Sequence, residues 1–361
     1  MVRALRLVAP LLLTLLASCS VRQVAAGTPA DAPRTPWIVD HPHPVVRTVS
    51  ALWVGTKAFW VDDDRVIFST PDDASGQAMP LGELARIVIL DTATGQAHDT
   101  PYRGTLRCYS AQRMLVDSRD ADRRSIRLAG PPDGPLVALE GKLAPTAGPG
   151  CADTLFGADG FATIPLEPGD GALRTAYGAK FAGDARPFDF VDASGRTTSP
   201  VERPRNTRLL GHDLQAMPWS PHRYLDAGAF AASRFSSQDP GAYIDAQAAR
   251  VEPLAVPYAL SQMAEMEPGS GVPIATRAGL LWMFRPGPTH WRDQGLYLQV
   301  DAGTVPRVDD HEVSGVAVSP DGCKVFYGRI AGRQDLPNDA YLHRRKYDAV
   351  VLDICATAGV R

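Results

Sequence analysis

The 361-residue sequence has no excess of basic charge: 37 Lys and Arg stand against 40 Asp and Glu, a formal net charge of −3. It therefore lacks the basic stripe that nucleic-acid binding requires, and it shows no polybasic cluster for anionic lipid. There is no Gly-x-Gly-x-x-Gly, no Walker A loop and no His-Glu-x-x-His, so dinucleotide, nucleotide-triphosphate and zinc-protease sites lose their sequence marks. No Gly-x-Ser-x-Gly elbow is present to expose a serine nucleophile; Glu267-Pro268-Gly269-Ser270-Gly271 has the wrong spacing. The five cysteines show neither CxxC nor zinc-finger spacing, so neither a structural metal nor a cofactor is expected. Beyond the N-terminus, apolar runs such as Arg86-Ile87-Val88-Ile89-Leu90 are of strand length, far short of the roughly 20 residues of a membrane-spanning helix.

What is present begins at the N-terminus. Arg3 and Arg6 precede the apolar run Leu7 to Leu16 and then Leu16-Ala17-Ser18-Cys19. A charged start, a short apolar core and small residues before a cut mark a secretory signal. Leu-Ala-Ser-Cys resembles the lipobox of bacterial lipoproteins. That resemblance implies export, cleavage before Cys19, lipid on Cys19 and attachment to a membrane; Ser20, by the same resemblance, implies the outer membrane facing the periplasm. The inner membrane and the cell surface are the alternative locations, and an ordinary signal peptide with an incidental Cys19 is the alternative reading. The chain divides into a signal at 1–18, a lipidated cysteine with a flexible linker at 19–44, and a folded body at 45–361. The linker is rich in Ala, Pro, Gly and Thr without an apolar period.

Besides Cys19 there are Cys108, Cys151, Cys323 and Cys355. Outside the cytosol an even count points to disulfides, with three possible connectivities. The reading adopted pairs Cys323 with Cys355 and Cys108 with Cys151; four buried thiols are the alternative.

The 32 Gly and 31 Pro leave little room for long helices and favour short strands with many turns. Ala58-Phe59-Trp60-Val61, Asp62-Asp63-Asp64 and Arg65-Val66-Ile67-Phe68-Ser69 read as strand, turn, strand. Ile87 to Asp91 runs into Thr92-Ala93-Thr94-Gly95. Further strands are expected at 113–117, 125–128, 136–140, 278–284, 295–300, 315–318, 323–328 and 347–355. Residues 226–266, with several alanines, are expected to hold a short helix or an insertion.

Val316-Ala317-Val318-Ser319-Pro320-Asp321-Gly322 and Val88 to Gly95 are similar to the hairpin and strand-end turns of TolB-like and WD40-like β-propeller blades. The resemblance is clear over 51–96 and 312–356 and weak between 145 and 270. It implies an all-β propeller of six or seven four-stranded blades; six starts are read near 51, 105, 150, 206, 270 and 312. A β-sandwich or an irregular β-rich fold is the alternative.

Candidate chemistry is sparse. His41-Pro42-His43-Pro44 is the nearest metal pair, but it stands in a Pro-rich extended segment without further ligands nearby. Asp62-Asp63-Asp64 and Pro71-Asp72-Asp73 lack the alternating calcium loop and read as solvated turns. His212-Asp213, Ser220, His222 and His290 are the scattered elements of a His-Asp-Ser site, with nothing in the spacing to join them. Trp53, Trp60, Trp219, Trp282 and Trp291 read first as packing between blades and second as a ligand platform. No catalytic residue is assigned. The expected function is a lipid-anchored envelope protein whose non-catalytic propeller binds protein partners. The alternatives are glycan or small-ligand binding, or a propeller hydrolase or lyase acting on envelope polymers.

Overall fold

A computed structural model describes residues 38–55, 57–71, 85–110, 112–119, 125–138, 155–156, 161–167, 169–176, 189–198, 214–226, 242–255, 260, 271–284, 293–300, 305–331 and 346–360. Among them the fold is almost entirely β: six antiparallel sheets form the blades of a β-propeller. The first strand, β1 (Val46–Ser50), belongs to the last blade. Blade one then runs β2 (Ala58–Trp60), β3 (Arg65–Pro71), β4 (Ala85–Asp91) and β5 (Ala97–Arg103). Blade two is β6 (Thr105–Ser110), β7 (Arg113–Arg119), β8 (Ser125–Gly130) and β9 (Val137–Ala138). Blade three holds β10 (Leu155–Phe156), β11 (Phe161–Pro165), β12 (Ala172–Ala176), β13 (Asp189–Val191) and β14 (Thr197–Thr198), so β10 is a fifth strand inside the usual four. Blade four is β15 (Leu214–Ala216), β16 (Arg223–Asp226), β17 (Ala242–Asp245) and β18 (Arg250–Pro253). Blade five is β19 (Gly271–Thr276), β20 (Gly279–Phe284), β21 (Gly295–Gln299) and β22 (Arg307–Asp309). Blade six is β23 (Glu312–Val318), β24 (Lys324–Ala331) and β25 (Lys346–Asp353), with β1 as its outermost strand.

The strands are apolar at successive positions because each blade is covered on both faces. In β3, Val66 and Phe68 pack with Ala317, Phe326 and Val351 of blade six. Ile67, between them, points the other way and packs with Leu106, Met114 and Val116 of blade two. β21 divides likewise: Tyr297 joins Met217 and Leu225 of blade four, while Leu296 and Leu298 join Val325, Val350 and Leu352 of blade six. A fifth junction, between blades three and four, gathers Ile164, Leu173 and Phe190 with Tyr224, Ile244 and Val251. Each fully buried Phe, Leu or Ile contributes about 1.5–3 kcal/mol. Alternation along one strand thus feeds two different cores, and this is what locks each blade's register.

The blade number is six, not seven, and the sheets begin at 58, 105, 155, 214, 271 and 312. One sequence expectation is corrected. The last strand stops at Asp353, and Cys355 lies on a short helix, α1 (Ile354–Ala358). Of the segment 226–266, Ala246 to Ala249 make the turn between β17 and β18 and Leu260 is helical, while 227–241, 256–259 and 261–266 lie outside the described residues. No helix among the described residues is long and apolar enough to cross a membrane.

The ring is closed non-locally. β1 pairs with β25, Val46 opposite Leu352 and Thr48 opposite Val350. Just before it, Val39 and His41 exchange backbone hydrogen bonds with Arg307 of β22 at 2.8 and 2.7 Å. Asp40 meets the buried Arg307 guanidinium at 2.7 Å. The described end of the segment assigned to the linker is therefore paired with blade five.

Candidate functional site

One edge of the propeller is built from tight turns, and a single device repeats there. In four blades an aspartate ends the strand before the outermost one or directly follows it: Asp91, Asp245 and Asp353 end β4, β17 and β25, and Asp192 follows β13. Each carboxylate accepts backbone N–H groups of its own turn. Asp91 takes Ala93 and Thr94 at 2.9 and 2.7 Å, and Asp192 takes Ser194 and Arg196, both at 2.9 Å. Asp245 takes Ala248 at 2.8 Å and Asp353 takes Ala356 at 2.8 Å. These bonds hold the Asp91 and Asp192 carboxyls below the usual range, led by Thr94 in the first and by the Ser194 hydroxyl in the second.

The residue after the aspartate ties this turn to the turn between the first two strands. Thr92 N–H donates to the Asp64 carbonyl at 2.7 Å, Ala246 to His222 at 2.8 Å and Ile354 to Cys323 at 2.9 Å. The turns close through left-handed residues: Gly95 (φ 75), Gly195 (φ 82) and Ala249 (φ 48) at the outer turns; Gln112 (φ 61), Gly171 (φ 80), His222 (φ 63) and Gly322 (φ 78) at the inner ones. Gly322 is required twice over, since a Cβ there would lie 2.6 Å from the Trp219 indole.

Two clusters of ionisable groups sit between blades. Asp170, in the β11–β12 turn, accepts from the Tyr224 hydroxyl and meets Nδ1 of His222. The Asp170 side chain is buried and that of His222 is half exposed. Burial and then the Asp170 bond push the Tyr224 phenol well above its ordinary value. The cluster staples blade three to blade four.

The second cluster follows β22. His311 Nδ1 lies 2.8 Å from Asp309 and 2.9 Å from Asp310. The Tyr327 hydroxyl donates to Asp309 at 2.6 Å, and Arg329 bridges toward Asp348 at 3.0 Å. Burial alone would raise Asp309, but the bonds from His311 and Tyr327 outweigh it and the carboxyl is lowered. The potential ligand atoms of Asp309, Asp310 and His311 fall within 4.8 Å of one another, a spacing that suits a cation. His311 is pushed up to about 9, first by Asp309 and then by Asp310, so without a metal its Nδ1 donates to the two carboxylates at neutral pH and the three groups form an ion-pair cluster.

The sequence candidates distribute as follows. Cys323 and Cys355 are bonded, with Cα atoms 4.9 Å apart. Cys108 on β6 is also disulfide-bonded; Cys151 lies outside the described residues, as do Cys19, Asp72, Asp73, His212, Asp213, Ser270, His290 and Trp291. His43 N–H donates to His41 Nδ1 at 3.3 Å. Asp62 caps its own turn, accepting from the Asp64 and Arg65 amides at 3.1 and 2.8 Å and pairing with the Arg65 side chain. Trp60 and Trp282 are core residues, while Trp53 and Trp219 are partly buried. His222 is joined to Asp170, a residue that sequence proximity did not single out. The Asp309-Asp310-His311 run stands in the sequence as three adjacent ionisable residues but was not among the sequence candidates.

Fold and turns together define a six-bladed β-propeller. No family model matches the chain, and no curated protein matches it significantly. Solved structures with some likeness include an oligogalacturonate lyase in complex with manganese, at 9% identity and a TM-score of 0.33, covering 89% of this chain and 96% of that one. U3-55K gives 8% and 0.38, covering 86% and 100%. The calcium-binding protein regucalcin from Agrobacterium tumefaciens strain C58 gives 12% and 0.31, covering 88% and 96%. Likenesses of this size carry no argument about activity.

Proposed function

We propose that this chain is an exported, lipid-anchored envelope protein whose propeller binds a protein partner without acting on it chemically. The observation that carries the reading is the commitment of the ionisable groups. Asp91, Asp192, Asp245 and Asp353 cap turns; His222 and His311 are engaged with carboxylates. Side chains used in this way make a rigid scaffold, and rigid scaffolds present loops to partners. The anchor rests on Leu16-Ala17-Ser18-Cys19, because two or more acyl chains hold a protein stably to a bilayer.

The test is photocrosslinking in cells of the full chain with Cys19 intact, followed by mass spectrometry. The crosslinker is placed at Thr94, on the tight-turn edge, or at Arg103, at the other end of β5; both positions are exposed. The expected result is one envelope protein captured reproducibly from one position and not the other. Capture of nothing but the chain itself from both positions sinks the partner reading and turns the search to glycans. Incorporation of labelled palmitate, lost in Cys19→Ala, separately checks the anchor.

A further inference from the structure

Blade six lacks something that the described turns of blades one, three and four possess. In those blades the third and fourth strands are joined by a hairpin, so the outer strand cannot stray. In blade six the outer strand, β1, comes from the other end of the chain, and no short loop holds it to β25. The loop-closure entropy of such a pairing is large, and an outer strand held only by its ladder frays easily.

The position of the absent hairpin is occupied by α1. Asp353, the counterpart of the turn-capping Asp91 and Asp245, caps α1 instead. The helix then reaches the residue that leads into β1: Thr357 Oγ1 accepts the Val45 N–H at 3.0 Å and donates to the Asp353 carbonyl at 2.7 Å. Asp353 N–H donates to the Val45 carbonyl at 2.9 Å. A helix of five residues does not hold itself in place. Its fixed point is Cys355, bonded to Cys323. Cys323 stands where Asp64 and His222 stand in other blades, the residue whose carbonyl takes the N–H after the capping aspartate. The disulfide therefore adds a covalent bond to a backbone tie that recurs in blades one, four and six, and it does so only a few residues from the closing strand.

We propose that α1, fixed by the Cys323–Cys355 bridge, is a latch that substitutes for the missing hairpin and keeps β1 in the closing blade. Any pull on the chain through residues 19–37 meets first the pairing of Val39, Asp40 and His41 with Arg307 and then β1, so the latch is the hold that keeps the ring closed once that pairing gives way. The latch acts on β1 whether or not Cys19 carries lipid.

Hydrogen exchange read by mass spectrometry on the full chain in detergent tests this. In the double variant Cys323→Ala/Cys355→Ala, amides of 45–50 and of α1 are expected to exchange about tenfold faster or more, while those of β4 and β7 change little. Thr357→Val, which leaves the bridge intact, should loosen 45–50 alone, and Thr357→Ser should restore it. Unchanged protection of 45–50 in both variants, or an equal loss in all six blades, overturns the latch. Should the double cysteine variant fail to fold, the Thr357 pair decides by itself.

Discussion

The indole N–H of Trp60 donates to the carbonyl of Ala317 at 3.0 Å, joining the innermost strand of the first blade to that of the last. Around it, Ser314 Oγ donates to the Val54 carbonyl at 2.8 Å and the rings of Phe68 and Phe326 lie 5.5 Å apart. The closing seam is thus an apolar core with directional bonds through it. Apolar packing alone tolerates sliding, whereas a buried N–H must find its acceptor.

Trp60→Phe keeps most of the ring and deletes the donor. The buried Ala317 carbonyl loses that bond, and some volume is lost as well, so the expected destabilisation is about 1–3 kcal/mol. Urea unfolding followed by far-UV circular dichroism measures it. An unchanged midpoint would mean that the bond adds nothing to the seam.

Asp170→Ala removes the acceptor shared by Tyr224 and His222. The Tyr224 hydroxyl is buried and would be left with only the Glu167 amide, which donates to it at 3.2 Å. A loss of about 1–3 kcal/mol follows. Tyr224→Phe in the same background should cost little more, because the two changes delete one network; a fully additive double mutant contradicts the shared role.

The triad of Asp309, Asp310 and His311 sets a pH dependence. The His311 pKa is raised to about 9, so its stabilisation is complete below its unfolded value of about 6.5 and fades as pH rises through about 9. Asp310, held down to about 2 chiefly by His311, contributes fully above about 3.9 and loses its contribution as pH falls through about 2. The triad is therefore fully stabilising between about pH 4 and 6.5 and weakens toward pH 9. A third of the imidazole surface stays in water, which lowers the expected effect to about 1–2 kcal/mol. His311→Gln should remove most of the decline in thermal stability between pH 6 and 9; a decline of unchanged size in that variant would locate it elsewhere.

Blades one and six were legible because their turns carry what the backbone demands. Gly95 and Gly322 occupy left-handed positions beside long apolar strands, and Asp91 and Asp321 start turns in plain view. Blades three and four were not, for two physical reasons. Their strands are short, three residues in β13 and in β15. In blade four the left-handed positions hold His222 and Ala249 rather than glycine, so the turn signal is missing although the turn is made. The role of β1 was illegible for another reason: nothing in Val46–Ser50 names β25 as its partner, and strand pairing across the whole chain leaves no local mark. The disulfide pair was read correctly, but Cys355 was placed on a strand, since Val350-Val351-Leu352-Asp353-Ile354 gives no sign that the ladder stops at Asp353. Asp170 and His222 are brought together only by the blade-to-blade contact, which no spacing rule anticipates.

The same turn geometry yields a pair of opposed predictions. Ala249 adopts φ 48 at the position that Gly95 and Gly195 fill in two other blades. A left-handed residue with a Cβ costs about 1 kcal/mol, and glycine relieves it while adding some entropy to the unfolded chain. Ala249→Gly should therefore raise stability by a few tenths to about 1 kcal/mol. Gly322→Ala runs the other way. It brings the same backbone cost, and its Cβ would lie 2.6 Å from the Trp219 indole and 2.9 Å from the Arg277 Cβ, so the loss should reach about 2–4 kcal/mol. Gly195→Ala separates the two terms. Its φ is 82 and nothing lies within 4 Å of the added carbon, so it should lose only the backbone cost of about 1 kcal/mol. If denaturant midpoints place Gly195→Ala and Gly322→Ala at equal cost, the contact with Trp219 is not what fixes glycine in the sixth blade, and the backbone angle alone accounts for it.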